Sequence, residues 1–134
     1  MNSTGKRRIA GYWITTVLIA LAMLLGGVAE VTHQKQNLDG MTSLGYPPYF
    51  STILGTWKVL GAIVLLAPRV PRLKEWAYAG VFFDLTGAAI SHAACAQYSH
   101  IIAPAILAVI CLVSWALRPP SRMIGSICCA PAAA

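Results

Sequence analysis

Four runs of this chain, 12–30, 49–67, 75–95 and 101–117, are almost continuously apolar, and short polar or proline-marked connections separate them. Each run matches the hydrocarbon thickness of a bilayer, which a helix of about 20 residues crosses. Lipid offers no water to bond a bare backbone, so runs of this kind form helices. With 57% hydrophobic and 10% charged residues, the chain also lacks the charge of a soluble surface, where about 25% is usual. The sequence therefore predicts an all-α fold, a four-helix transmembrane bundle. It places that bundle in one domain over 9–118, followed by a small-residue tail at 119–134.

The formal net charge is +6, but the basic residues are not interleaved with stacking aromatics along a helix face, so nucleic acid is not an expected partner. They gather at the ends of the runs instead. Lys6, Arg7 and Arg8 precede the first, Arg69, Arg72 and Lys74 lie between the second and third, and Arg118 and Arg122 follow the last, with Lys35 alone on the other side. Lys and Arg beside a span stay on the cytoplasmic side. Both termini are thus expected in the cytoplasm, in a multi-pass protein of a bacterial inner (cell) membrane, with the lipid bilayer as its first partner. A cleaved signal peptide is the rival reading of the first run, because Gly27 and Ala29 precede a possible cut at Glu30. The run exceeds the usual 7–15 apolar residues of such peptides, roughly. Ala22, Gly26 and Glu30 also continue at the four-residue spacing of a packed span. The polar stretch 31–47 reads as a loop, Pro68, Pro71, Pro119 and Pro120 as helix stops, and Pro104 as a tolerated first-turn proline.

Lys58 and Asp84 each lie about ten residues into a span, which at about 1.5 Å per residue sets both roughly 15 Å deep, near the midplane. Ionisable groups there cost roughly 2.5–3.5 kcal/mol each on insertion scales, so the two are expected to meet. Ser51, Gly55, Lys58 and Ala62 share one stripe, and Ala77, Gly80, Asp84, Gly87 and Ser91 share another. Small residues beside each charge suggest close helix packing. Trp57, next to Lys58, is a candidate ring wall for the cation or for a flat ligand. Such a pair either specifies the fold or forms a proton or ligand site, and the first reading takes precedence.

Glu30 and His92 form a second candidate, an acid and imidazole pair at the outer boundary with His33 and His100 nearby, although solvated helix ends are the reading that takes precedence. His92 and His100 can approach across the AQYSH turn, but the histidine spacing does not make a metal site, and none is expected. Cys95, Cys111, Cys128 and Cys129 show no CxxC spacing. Cys111 reads as lipid-buried filler, and Cys128 and Cys129 fall on the reducing side without a structural disulfide. The ending CCAPAAA is not a prenylation box. Trp13, Tyr46, Tyr49, Trp76, Tyr98 and Trp115 read as interfacial anchors.

LGYP at 44–47, GxWKxLG at 55–61, LAPRxPRLKEWAYAG at 66–80 and FFDLTGAAISH at 82–92 closely resemble the DoxX-like family of small membrane proteins. The resemblance covers about residues 9–118. It implies a four-helix integral membrane protein, in most members without an assigned activity. Relatives in the wider DoxX group are membrane subunits linked to thiosulfate oxidation and quinone reduction. This chain shows no paired redox cysteines and no recognisable haem, flavin or iron–sulfur motif. The resulting expectation is a non-catalytic membrane subunit or scaffold, more an assembly component than an enzyme, with no resident cofactor. Two alternatives stand beside it. One is a quinone-associated oxidoreductase subunit in which Trp57, Lys58, Asp84 and His92 line a headgroup pocket, and the other is a proton-coupled small-solute conduit using Asp84 and Glu30. A redox membrane complex or a second copy of the chain is the expected protein partner.

Overall fold

The computed structural model describes residues 3–124. Five α-helices follow one another, α1 (Ser3–Val31), α2 (Lys35–Ser43), α3 (Pro48–Leu66), α4 (Pro71–Ala94) and α5 (Ile102–Ala116), with 3-10 turns at Tyr98–His100 and Pro120–Arg122. Among the described residues there is no strand. The stretch read as a loop is the part corrected, because it contains α2, so the described residues hold five helices. Leu38, Met41 and Leu44 recur every third residue, are each half-buried, and give that polar stretch one apolar side. His33 (φ 51°) and Gly45 (φ 85°) adopt left-handed conformations on either side of α2 and turn the chain into and out of it. Pro48 and Pro71 open α3 and α4 at positions where a missing N–H is harmless.

The four longer helices close a ring in which α1 packs on α3 and α5, and α4 packs on the same two. On α1 the buried stripe is Tyr12, Thr16, Ile19, Ala20, Met23, Gly27 and Glu30, at the three-to-four-residue spacing of one helical side. It meets α3 most closely at two glycines. A Cβ on Gly55 would lie 2.6 Å from the Gly27 carbonyl oxygen, and one on Gly27 would lie 2.8 Å from that of Gly55. The apolar core centres on Ile19, Met23, Leu65, Tyr78, Val81 and Leu85. Three buried hydroxyls tie α1, α4 and α5 through it, with Ser114 Oγ 2.7 Å from Thr16 Oγ1 and 2.8 Å from Tyr78 Oη.

On α4 the stripe expected to pack, around Gly80, Asp84 and Gly87, does not carry the helix contact. The buried residues are Lys74, Tyr78, Val81 and Leu85, and nothing lies within 4 Å of a Cβ built on Gly80 or Gly87. Large side chains one step round the helix make the contact and leave the small ones facing open space.

At the opposite end from α2, three of the residues expected as topology signals are tied into the bundle, and two of them, Lys74 and Arg118, are buried. Lys74 Nζ donates to Val64 O at 3.0 Å and to Leu65 O, satisfying carbonyls at the end of α3. Arg118, 2% exposed, pairs with Glu75 Oε1 at 2.7 Å and lies over the Tyr78 and Trp115 rings. Arg122 donates to Tyr12 Oη at 3.2 Å.

The outer surface of the ring is apolar, with Ile14, Leu25, Ile63, Ile90 and Val109 all exposed. Three helical stretches, Gly5–Val31, Pro48–Leu66 and Tyr98–Ala116, are long and apolar enough to cross a membrane. α4 is long but carries Arg72, Lys74, Glu75 and Asp84.

Candidate functional site

Lys58 extends from α3 between two carboxylates. Its Nζ lies 2.5 Å from Glu30 Oε1 and 3.6 Å from Asp84 Oδ2. Lys58 and Asp84 thus come together, but the shorter contact is to Glu30, the last-turn residue of α1. The glycine crossing explains this, because it sets the Lys58 stem against α1, where a Cβ on Gly27 would be 2.9 Å from Lys58 Cβ. Ser51 Oγ donates to the Glu30 carbonyl at 3.1 Å and fixes the same register. Glu30 is 7% exposed, and its second carboxylate oxygen, Oε2, is buried without a hydrogen-bond partner.

Two expected placements are corrected. Glu30 does not pair with His92, because the α1–α3 crossing turns it to Lys58. His92 lies eight residues beyond Asp84, about 12 Å along α4, where its Nδ1 bonds Gln97 Oε1 at 2.9 Å and its ring stacks on His100 with centroids 5.4 Å apart. His33 bonds Thr52 Oγ1 at 2.7 Å. Trp57 is 68% exposed and walls neither the cation nor a ligand space. Successive helical residues diverge by about 100°, so turning Lys58 inward turns its neighbour out.

The charged group lies on the wall of a partly open cavity of about 1010 Å³. Glu30, Lys58 and Asp84 line it, with Met23, Leu54 and Leu107 as apolar neighbours. Ser91, His92, Gln97 and His100 line it near the connections, and α2 contributes Asp39 and Met41. Tyr46, expected as an interfacial anchor, also lines it, since its hydroxyl bonds Ser91 Oγ at 2.7 Å and its ring stacks on Phe50 at 5.0 Å. Apolar walls with a few converging polar groups are the usual make-up of a small-ligand site. The cavity and the part played by α2 escape sequence reasoning. The one signal was the clustering of Gly87, Ala88 and Ser91 on the Asp84 side of α4, which leaves room rather than filling it.

Among the described residues no three His, Cys, Asp or Glu side chains gather as metal ligands. Cys111 is buried and Cys95 exposed, both as free thiols, while Cys128 and Cys129 fall outside the described residues.

An all-helical chain with an apolar outer surface and a polar cavity between its helices has the make-up of a membrane protein. The chain belongs to the DoxX-like family, whose family model matches residues 14–114, a range that includes Glu30, Lys58, Asp84, His92 and His100. It is similar to Uncharacterized protein YdgD of Bacillus subtilis (strain 168), with 30% identity over 97 residues, 72% of this chain and 84% of that protein. No solved structure matches it.

Proposed function

We propose that this protein spans the cell membrane four times, with both termini cytoplasmic, and acts as a non-catalytic membrane subunit that holds a small ligand between its helices. The fourth crossing in this reading is α4, whose 24 residues extend about 36 Å. Lys74 and Glu75 lie at its cytoplasmic end, and Asp84 faces Lys58 at 3.6 Å. The cavity carries the reading, because it brings three charged side chains to one wall of a space lined elsewhere by apolar groups together with hydrogen-bonding ones such as Ser91, His92 and Gln97. A purely fold-specifying ion pair needs no such space beside it.

The test is native mass spectrometry of the full chain released from its membrane in mild detergent. Gly87 lines the cavity and has nothing within 4 Å of its Cβ position, so a side chain can start there without a clash and Gly87→Leu adds volume at the cavity wall. A small-molecule adduct on the natural protein, reduced at least fivefold in Gly87→Leu at unchanged thermal stability, is the expected result. Equal adducts on both proteins, or none on either, would reject the reading. The same preparation reports whether a cofactor-bearing membrane complex or a second copy of the chain travels with it.

A quinone headgroup is the second occupant to consider, because Lys58 and His92 line the same cavity and an ammonium can donate to a quinone carbonyl. Saturable binding of a short-chain quinone, lost in Lys58→Met, supports that occupant, and no saturation removes it.

A further inference from the structure

The chain has four acidic residues against ten Lys and Arg, yet the cavity inverts that balance. Among the described residues, Glu30, Asp39 and Asp84 line it, Lys58 is the one Lys or Arg that does, and the only other titratable side chains on its wall are His92, His100 and Tyr46. Lys58 is already engaged, with Nζ 2.5 Å from Glu30 and 3.6 Å from Asp84. Two ionised carboxylates sharing one ammonium are a positive charge short, a shortfall that a low-dielectric helix bundle makes costly and that either a proton or a cationic ligand can supply. Glu30 Oε2 is a buried acceptor without a hydrogen-bond donor, on a side chain more than nine-tenths buried. Tyr46 and Phe50, stacked at 5.0 Å, both line the cavity, and ring faces attract cations.

From these observations we propose that the cavity takes a small organic cation of the protonated-amine class, whose ammonium docks at the Glu30 and Asp84 carboxylates while its apolar part rests against the aromatic wall. This rests on the ligand-holding reading above and adds the charge of the ligand. An anion finds, as the one lining ammonium, a group that two carboxylates already share. A neutral ligand leaves the missing charge to a proton on one of the carboxylates.

Three probes that share a ring and a two-carbon or comparable tether separate the cases: phenethylammonium, 2-phenylethanol and phenylacetate. Binding is measured by calorimetric titration at neutral pH on the full chain in nanodiscs of zwitterionic lipid, with empty nanodiscs as the partition control. The expected result is saturable binding of phenethylammonium at least tenfold tighter than 2-phenylethanol, with no saturation by phenylacetate. Glu30→Gln is expected to shrink the cation preference to within threefold. Asp84→Asn gives a second reading of the same loss if Glu30→Gln does not fold, and the three-probe comparison on the natural chain needs no variant. Equal affinity for cation and alcohol, or a preference for phenylacetate, overturns the cation assignment and leaves the ligand-holding role intact. Absence of saturable binding by all three probes overturns both.

Discussion

Lys58 is the residue on which most of the site's electrostatics depends, and its removal separates structural worth from simple contact. In Lys58→Met two carboxylates face each other in a largely buried space with no counter-charge, and breaking a buried pair from one side typically costs about 3–5 kcal/mol. Replacing Glu30, Lys58 and Asp84 together by Gln, Met and Asn removes the charges along with the pairing. The expected order of thermal stability in detergent is therefore the natural chain, then the triple variant, with Lys58→Met lowest. A single variant more stable than the triple would contradict the arrangement. Gly55 offers a packing test at the same scale. Its missing Cβ would sit 2.6 Å from a backbone oxygen of α1, so Gly55→Ala should cost roughly 1–3 kcal/mol by overpacking. At Gly61 the nearest atom to an added Cβ is 3.8 Å away, and Gly61→Ala should fold at wild-type yield. The charges at Lys58 and Asp84 were legible in sequence because each interrupts an apolar run. The role of Glu30 was not, because its partner depends on how deeply α1 and α3 cross, and spacing along one chain carries no such information.

At the scale of elements, helix ends explain features that hydropathy alone misreads. Lys74 precedes the most apolar part of α4 and looks like a topology signal, yet it donates to Val64 O and Leu65 O at the end of α3. Lys74→Met would leave those carbonyls unbonded, with an expected loss of about 1–3 kcal/mol. Limited proteolysis in the 67–70 connection should then accelerate, and unchanged cleavage would show that the end is satisfied otherwise. The long helices were readable as apolar runs, with proline marking the starts of α3 and α4, whereas α1 begins at Ser3, well before its apolar run. α2 was not, because nine polar-rich residues form a stable helix only where a neighbour covers one side. The packing side of α4 was also misread, since small residues mark close approach in some spans and empty space in others.

For the whole molecule, the distribution of charge makes a prediction about sidedness. Arg69, Arg72, Lys74, Arg118 and Arg122 belong to one end of the bundle, and α2 with Lys35 belongs to the other. In intact cells, and in a background with every cysteine replaced, a thiol placed by Gln36→Cys should react with an impermeant maleimide. One placed by Arg69→Cys should react only after permeabilisation. The opposite labelling would invert the orientation and put the cavity mouth in the cytoplasm. Hydropathy and the 3.6-residue period are local properties, so the order of residues by itself determined that the chain is helical, that its outside is apolar and that charged groups lie within its spans. Only the tertiary structure decided that Lys58 bridges Glu30 to Asp84 and that a cavity opens beside them. Two glycines bring α1 against α3, while Tyr78, Val81 and Leu85 make the α4 contact and leave the small side of that helix uncovered. Space of this kind arises from the mismatch of side-chain volumes across several crossings, and no one segment encodes it.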